Sequence, residues 1–264
     1  MNIGEGMKHI HACADTIERA VGDRTAIGRL TADFPDLTLD DGYAIQDEVA
    51  RRRLARGERI IGAKLGLTSR AKQVQMSVAQ PMYGRLFSEG VHPANEPFVV
   101  SSLIHPRVEP EIVFVMKDRL AGPGVTAGDV IAATKYVCCG LEIIDSRYSD
   151  FSFTAADVVA DNTSEAKIVM GSVMLDPAGI DLGLIGLLLE VDGEQVATAA
   201  GAATMGHPAE AVALLANWLG SRGSAIEPGW CIYSGGLTAA VPLNVGSHIT
   251  ATFGHLGSVT VRGV

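Results

Sequence analysis

The run RVEPEIVFV, residues 107–115, constrains this chain more than any other segment. Its apolar half, Ile112 to Val115, reads as a core β-strand, and Pro110 puts the part before it at a strand start or an edge. In a strand the side chains of residues i and i+2 point to one face, so Glu109 and Glu111 project together. Two such carboxylates repel unless a cation or a proton lies between them. A second apolar run, GLEIIDSRY (140–148), carries Glu142, and a charge there is costly to bury unless it is paired or bound to metal. If the fold brings Glu142 across from the pair, the three carboxylates make an all-oxygen pocket suited to Mg2+ or Mn2+. Exposed strand glutamates paired to Arg or Lys would show the same spacing.

The texture of the chain changes near residue 57. Before it, His9–Val21 and Leu39–Arg56 read as helices, the second with Thr38 or Asp40 as N-cap and Gly57 as its stop. The stretch TADFPDLT between them reads as a polar turn around a buried Phe34. After it, strands are expected at Ile60–Leu67, 108–116, 136–144, on both sides of the turn Asp192-Gly193 within 184–199, and in WCIYSG, AAVPL, HITATF and SVTVRGV near the C-terminus. SRAKQVQM (69–76) reads as a short helix, 85–98 as a loop, and Asp129–Thr134 as a short helix entered through GPGVTAGD. Residues 146–172 read as a long loop containing a short helix, and HPAEAVALLANWLGSRG as a clear helix. Strands at irregular spacing with few helices argue an α+β fold centred on a twisted or rolled sheet, and the missing βαβ alternation argues against a Rossmann fold. The division expected is a helical N-terminal part, 1–60, and a strand-rich part, 61–264.

Bulk properties exclude several classes. At 264 residues, 47% hydrophobic and 19% charged, the chain is globular. Its net charge of -9 and the lack of a dense basic run leave nucleic acid out, and Arg51, Arg52 and Arg53 read as a solvated helix face. No apolar run is long enough to span a membrane. The start, MNIGEGMKHI, lacks the apolar core of a signal peptide, and the four cysteines include no CxxC pair, so a reduced, cytoplasmic compartment is expected. No P-loop, GxGxxG, GxSxG or HExxH motif is present.

Other residues carry two readings each. Lys64, inside an apolar strand, either snorkels to solvent or sits in a pocket as a cation or proton donor. Asp161-Asn162-Thr163-Ser164 is a turn or cap, or a row of polar groups at a site. Ser234-Gly235-Gly236-Leu237-Thr238 joins two strands, and its backbone N–H groups could bind a carboxylate or oxyanion. Asp145 and Arg147 read as a structural salt bridge, His105 as a loop residue and His207 as a helix-entry residue.

Taken in order, KLGLTSRAKQVQM, HPRVEPEIVFV, GLEIIDSRYSDFSF, VVADNTSEAKIVMG, GAATMGHPAEAVALLANWL and SGGLTAAVPL closely resemble the group of 4-oxalocrotonate decarboxylases and 2-hydroxypenta-2,4-dienoate hydratases, within the fumarylacetoacetate hydrolase superfamily. The likeness runs from about residue 28 to the C-terminus. It implies a mixed β-roll catalytic domain with a small, mostly helical N-terminal part, a divalent Mg2+ or Mn2+ held by Glu109, Glu111 and Glu142, and a place for Lys64 in the substrate pocket. It implies a lyase. The segments TADFPDLTLDDGYAIQDEVARRRLARG, HPRVEPEI and DSRYSDFSF look more like the decarboxylase branch, which acts in meta-cleavage degradation of aromatic compounds. GLTS, the two glutamates, EIIDSR and ADN are shared with the hydratases, so hydration of the dienol stays open as the alternative.

A substrate of that class, 2-oxohex-3-enedioate, is a vinylogous β-keto acid, and loss of its distal carboxylate needs an electron sink. A divalent cation polarising the C2 carbonyl is such a sink, with Lys64 adding positive charge or a proton there. Gly235, Gly236 and Thr238 are the candidates for holding a substrate oxygen, and Asn162 and Ser164 are further polar candidates. Members of the two branches associate, so a complex with a hydratase and a homo-oligomer are expected. A non-catalytic partner subunit is a third reading, which the intact Glu109, Glu111, Glu142 and Lys64 oppose.

Overall fold

A computed structural model describes residues 3–68, 73, 81–94 and 96–264, with side chains from residue 8 onward. Its N-terminal part is helical: α1 (Ile3–Asp23), the short α2 (Leu30–Asp33) and α3 (Leu39–Ala55). Thr38 caps α3 in a reciprocal box, accepting the Asp41 N–H while the Asp41 carboxylate accepts the Thr38 N–H, worth about 1 kcal/mol. Gly57, at φ 94°, ends it. Arg52 ties α3 to α1, reaching Asp15 at 2.6 Å and Glu18 at 2.7 Å while its Nε holds Glu48 at 2.7 Å. Arg53 lies over the Phe87 ring at 3.7 Å. The solvated-face reading therefore holds for Arg51, 65% exposed, and not for Arg52, 20% exposed, or Arg53, 22% exposed.

Beyond α3 the chain builds two sheets. The larger contains β1 (Ile60–Gly66), β2 (Met82–Phe87), β3 (Arg107–Met116), β4 (Thr134–Ile144), β5 (Glu165–Met170), β8 (Cys231–Tyr233) and β9 (Val241–Pro242), in the order β2-β1-β8-β3-β4-β5 with β9 on β3. The β1–β8 pair is parallel and the others antiparallel, so the sheet is mixed. The smaller runs β11-β10-β6-β7, from β6 (Gly186–Val191), β7 (Glu194–Ala200), β10 (His248–Phe253) and β11 (Gly257–Arg262). Among the described residues, three more α-helices cover this roll: α4 (Ala127–Ala133), α5 (Ala155–Ala160) and α6 (Pro208–Ser221). Pro208 at the first turn of α6 and the His207 ring, which accepts the Ala209 N–H, start that helix as its sequence suggests.

The main core joins one face of β3 (Ile112, Phe114, Met116) to Leu187, Leu189, Ile249, Ala251 and Phe253 of the smaller sheet and to Val212, Leu215 and Leu219 of α6. Each such large side chain contributes about 1.5–3 kcal/mol on full burial. A second cluster crosses from the helical part to the roll, packing Cys13, Ala14, Ile17, Leu30 and Ile45 on Tyr148 and Ala160.

The fold is α+β and rolled, as expected. Two strands fall where loop was expected. β2 reaches Phe87 inside 85–98, and β5 occupies the end of 146–172. Both are six residues long and carry charged or glycine positions, which weakens the alternating signal. Phe34 is half-buried against His9 rather than enclosed. The helix expected over SRAKQVQM lies outside the described residues except for Gln73, whose Nε2 donates to Leu67 O at 3.0 Å.

Candidate metal centre

Strand register assembles the site. Glu109 on β3 pairs with Glu142 on β4, and Glu111 pairs with Gly140. Paired residues of neighbouring strands share a face, and so do residues two apart. Glu109, Glu111, Val113, Gly140 and Glu142 therefore project to one side. The same row continues sideways: Val113 pairs with Tyr233 on β8, and Tyr233 pairs with Lys64 on β1. One face of the roll thus carries three carboxylates and one ammonium. Beneath them lies a small apolar floor of Leu86, Val113, Cys138, Ile168 and Tyr233, with the Tyr233 hydroxyl donating to Val169 O at 3.1 Å.

One carboxylate oxygen from each of Glu109, Glu111 and Glu142 lies within 4.8 Å of the others. Glu111 and Glu142 are fully buried and Glu109 is partly exposed. Glu111 Oε2 accepts the Gly235 N–H at 2.6 Å, but Glu111 Oε1 and both Glu142 oxygens have no hydrogen-bond partner among the described residues. Buried acceptors left unsatisfied are rare. An oxygen-only donor set, converging and incompletely satisfied, fits a hard divalent cation. Gly236 makes room for it, since a Cβ there would press the Glu109 carboxyl carbon at 2.8 Å. Gly235, at φ 113°, takes a conformation that favours glycine, and a side chain would also overlap Thr68.

Burial dominates the electrostatics. It pushes Glu142 up to about 7, with Lys64 opposing and Glu109 adding to the rise. Burial and then Glu142 hold Glu111 well above the ordinary carboxylate range. Burial works against a charge on Lys64, yet Glu142, Glu109 and Glu111 outweigh it and leave the lysine pKa raised. The Lys64 Nζ lies 3.0 Å from Glu142 Oε1, an ion pair without hydrogen-bond alignment, and donates to Thr163 O at 2.9 Å. Lys64 is buried beside Glu142 and Thr163 and does not snorkel.

The remaining candidates divide. Gly235 and Gly236 sit against Glu111 and Glu109. Ser164 is buried and its Oγ has no partner among the described residues. Asn162 spends its side chain on the Arg85 backbone and Glu165, and Thr238 spends its hydroxyl on Ala239 O. Asp145 does not pair with Arg147. It accepts the N–H groups of Ile104 and His105, while Arg147 pairs with Asp161. Tyr233 and the Thr163 carbonyl join this face without a sequence signal: Tyr233 sits unmarked in the expected strand WCIYSG, and no side-chain pattern marks a backbone carbonyl. A cleft of about 1250 Å3 between the N-terminal helices and the roll is lined, among the described residues, by none of the three glutamates and not by Lys64.

No protein-family model matches the chain. It is 46% identical over 251 residues to 4-oxalocrotonate decarboxylase of Pseudomonas sp. (strain CF600), covering 95% of this chain and 95% of that protein. It is 38% identical over 248 residues to 2-hydroxyhexa-2,4-dienoate hydratase of Comamonas testosteroni, covering 92% and 93%. Among solved structures, 4-oxalocrotonate decarboxylase from Pseudomonas putida G7, complexed with magnesium and adipate, superposes with a TM-score of 0.95 at 45% identity, covering 98% of each chain.

Proposed function

This chain belongs to the group of 4-oxalocrotonate decarboxylases and 2-hydroxydienoate hydratases in the fumarylacetoacetate hydrolase superfamily, and on that footing we propose that it is a lyase that decarboxylates 4-oxalocrotonate (2-oxohex-3-enedioate) to 2-hydroxypenta-2,4-dienoate in meta-cleavage degradation of aromatic compounds. The observation that carries the reading is the near full-length 46% identity to a decarboxylase, joined to a face that gathers three glutamates and one buried lysine.

In this reading Glu109, Glu111 and Glu142 hold Mg2+ or Mn2+. When bound, the cation supplies Lewis acidity at the 2-oxo group of the substrate. The bond between C5 and the C6 carboxylate breaks. Its electron pair moves through C4 and C3 to the C2 oxygen, CO2 leaves, and a proton completes the dienol. Lys64 serves that oxygen. An ammonium has three N–H donors; one goes to Thr163 O, and the charge lies 3.0 Å from Glu142 Oε1, so a donor can serve the substrate. Burial strengthens this charge, because little water competes for it. Charge is most valuable where it develops during the reaction. Gly235, Gly236 and Ser164 are the proposed substrate contacts. Asn162 and Thr238 are further proposed contacts, although Asn162 spends its side chain on the Arg85 backbone and Glu165 and Thr238 its hydroxyl on Ala239 O. Residues 1–60 act as a helical subdomain beside the catalytic 61–264.

The dienol product is reactive, which favours handing it to a hydratase bound nearby, and we include that complex and self-association in the proposal. No described helix is long and apolar enough to cross a membrane, and the cysteines are free, which supports a cytoplasmic setting. The 38% identity to a dienoate hydratase keeps hydration as the second reading, since the same carboxylates suit either reaction.

Purified protein with Mg2+ separates the two. Decarboxylation releases CO2 from 4-oxalocrotonate and accumulates 2-hydroxypenta-2,4-dienoate. Loss of dienol absorbance with no CO2 from 4-oxalocrotonate would establish the hydratase instead. Lys64→Ala should lower kcat on the order of 100-fold while leaving Mg2+ affinity nearly intact; equal loss of both would remove Lys64 from the chemistry.

A further inference from the structure

Asn162, Thr163 and Ser164 follow one another at φ 49°, 52° and 60°. A left-handed run of this kind crowds Cβ against the backbone and is seldom adopted by residues other than glycine. It persists only where the surroundings over-determine it, and the surroundings here do so from two sides.

Arg147 grips the run at both ends. Its Nη2 donates to Asp161 O at 2.6 Å, before the run, and its Nη1 donates to Glu165 O at 3.1 Å, after it. Its Nε holds the Asp161 carboxylate, which also accepts the Arg147 backbone N–H at 3.0 Å. Asp145 N–H donates to Ser164 O at 2.8 Å. From the other side, Asn162 Oδ1 accepts the Arg85 N–H at 2.7 Å and Asn162 Nδ2 donates to Arg85 O at 2.8 Å, which fixes the run on β2. Gly84 leaves the space the run occupies; a Cβ there would overlap Thr163 Oγ1 and Asn162 O.

This bracing fixes one carbonyl in one place. Thr163 O accepts from Lys64 Nζ at 2.9 Å, opposite the Glu142 contact at 3.0 Å. An ammonium on a flexible four-carbon stem has no direction of its own, so it points where its acceptors are held.

We propose that Arg147 is a positioning residue for the reaction: its guanidinium locks the left-handed turn 162–164, and the turn aims Lys64 at the carboxylate site. The inference rests on the reading of Lys64 as the group that serves the substrate oxygen. The planar fork does this rather than the charge, because it reaches acceptors on Asp161 and Glu165 together, which an ammonium cannot match.

The test is a double-mutant cycle on decarboxylation at saturating Mg2+, with wild type, Lys64→Ala, Arg147→Lys and the double variant. Arg147→Lys keeps the charge and loses the fork. It should lower kcat at least about tenfold, hold KM within roughly threefold, and leave the calorimetric Mg2+ dissociation constant within about twofold. In the Lys64→Ala background it should cost nothing further, because residues that act through one another are not additive. Wild-type kcat in Arg147→Lys, or its full loss reappearing in the Lys64→Ala background, overturns the inference alone. Wild-type kcat in Lys64→Ala overturns the reading of Lys64 and the inference with it. Should Arg147→Lys not fold by circular dichroism, Gly84→Ala runs the same cycle by pressing on the turn with no change of charge, and the same outcomes decide.

Discussion

Glu109 and Glu142 stand directly opposite each other in the antiparallel β3–β4 register. Like charges so placed are destabilising, and Glu111 adds a third carboxylate to the same group. A proton or a cation relieves such a cluster, and a divalent ion is the occupant proposed for it. Mg2+ at about a hundred times its dissociation constant should add about 2.7 kcal/mol to the unfolding free energy, a Tm rise of roughly 5–10 °C for a chain of this size. Glu111→Gln should lose most of that rise, read by thermal melts with Mg2+ against a chelator. Gly236→Ala should weaken Mg2+ binding too, because the added Cβ meets the Glu109 carboxyl carbon at 2.8 Å. An undiminished Mg2+ effect in both variants would separate the glutamates from the metal.

Protons compete with the metal at the same oxygens. With Glu142 held up to about 7 by burial, the carboxyl is protonated below that pH and must shed its proton to bind a cation. Mg2+ affinity should therefore fall as the pH drops from 8 through about 7 to 6, with proton release growing in calorimetry as the pH drops. A flat affinity over that range would contradict the buried, proton-competent carboxylate.

A different pH dependence belongs to the helical part. Hydrogen bonding to Arg51, opposed by burial and then reinforced by Arg52, lowers Glu48 to about 2 from 4.5, and His11 Nδ1 lies 3.1 Å from the same carboxylate. A group with a depressed folded pKa stabilises fully above its unfolded value and loses that contribution as the pH falls through the folded one. The Tm gap between wild type and Glu48→Gln should be widest above about pH 4.5 and close toward about pH 2. A gap that widens on acidification would remove Glu48 from the α1–α3 contact.

What could be read ahead of the structure followed from strand periodicity. Glu109 and Glu111 share a face because they are two apart, and a single antiparallel pairing then brings Glu142 opposite. Lys64 could be narrowed to two readings but not decided, because snorkelling or burial depends on what covers β1. Arg147 was assigned to Asp145, its neighbour in sequence, whereas the chain turns back and presents Asp161 instead. The bracing of Thr163 escaped altogether. Three successive left-handed residues in Asn-Thr-Ser have no sequence signature, and the group they present to Lys64 is a carbonyl that every residue carries. β2 and β5 escaped for a plainer reason, being short and broken by glycine and charge.

The central claim is that Glu109, Glu111 and Glu142 together hold the divalent cation on which the chemistry depends. Diffraction from crystals grown with Mn2+, recorded at an energy where manganese scatters anomalously, tests it most directly. One strong anomalous peak bounded by carboxylate oxygens of all three glutamates is expected, lost in Glu142→Gln. A peak held elsewhere in the chain, or one that survives Glu142→Gln unchanged, would contradict it.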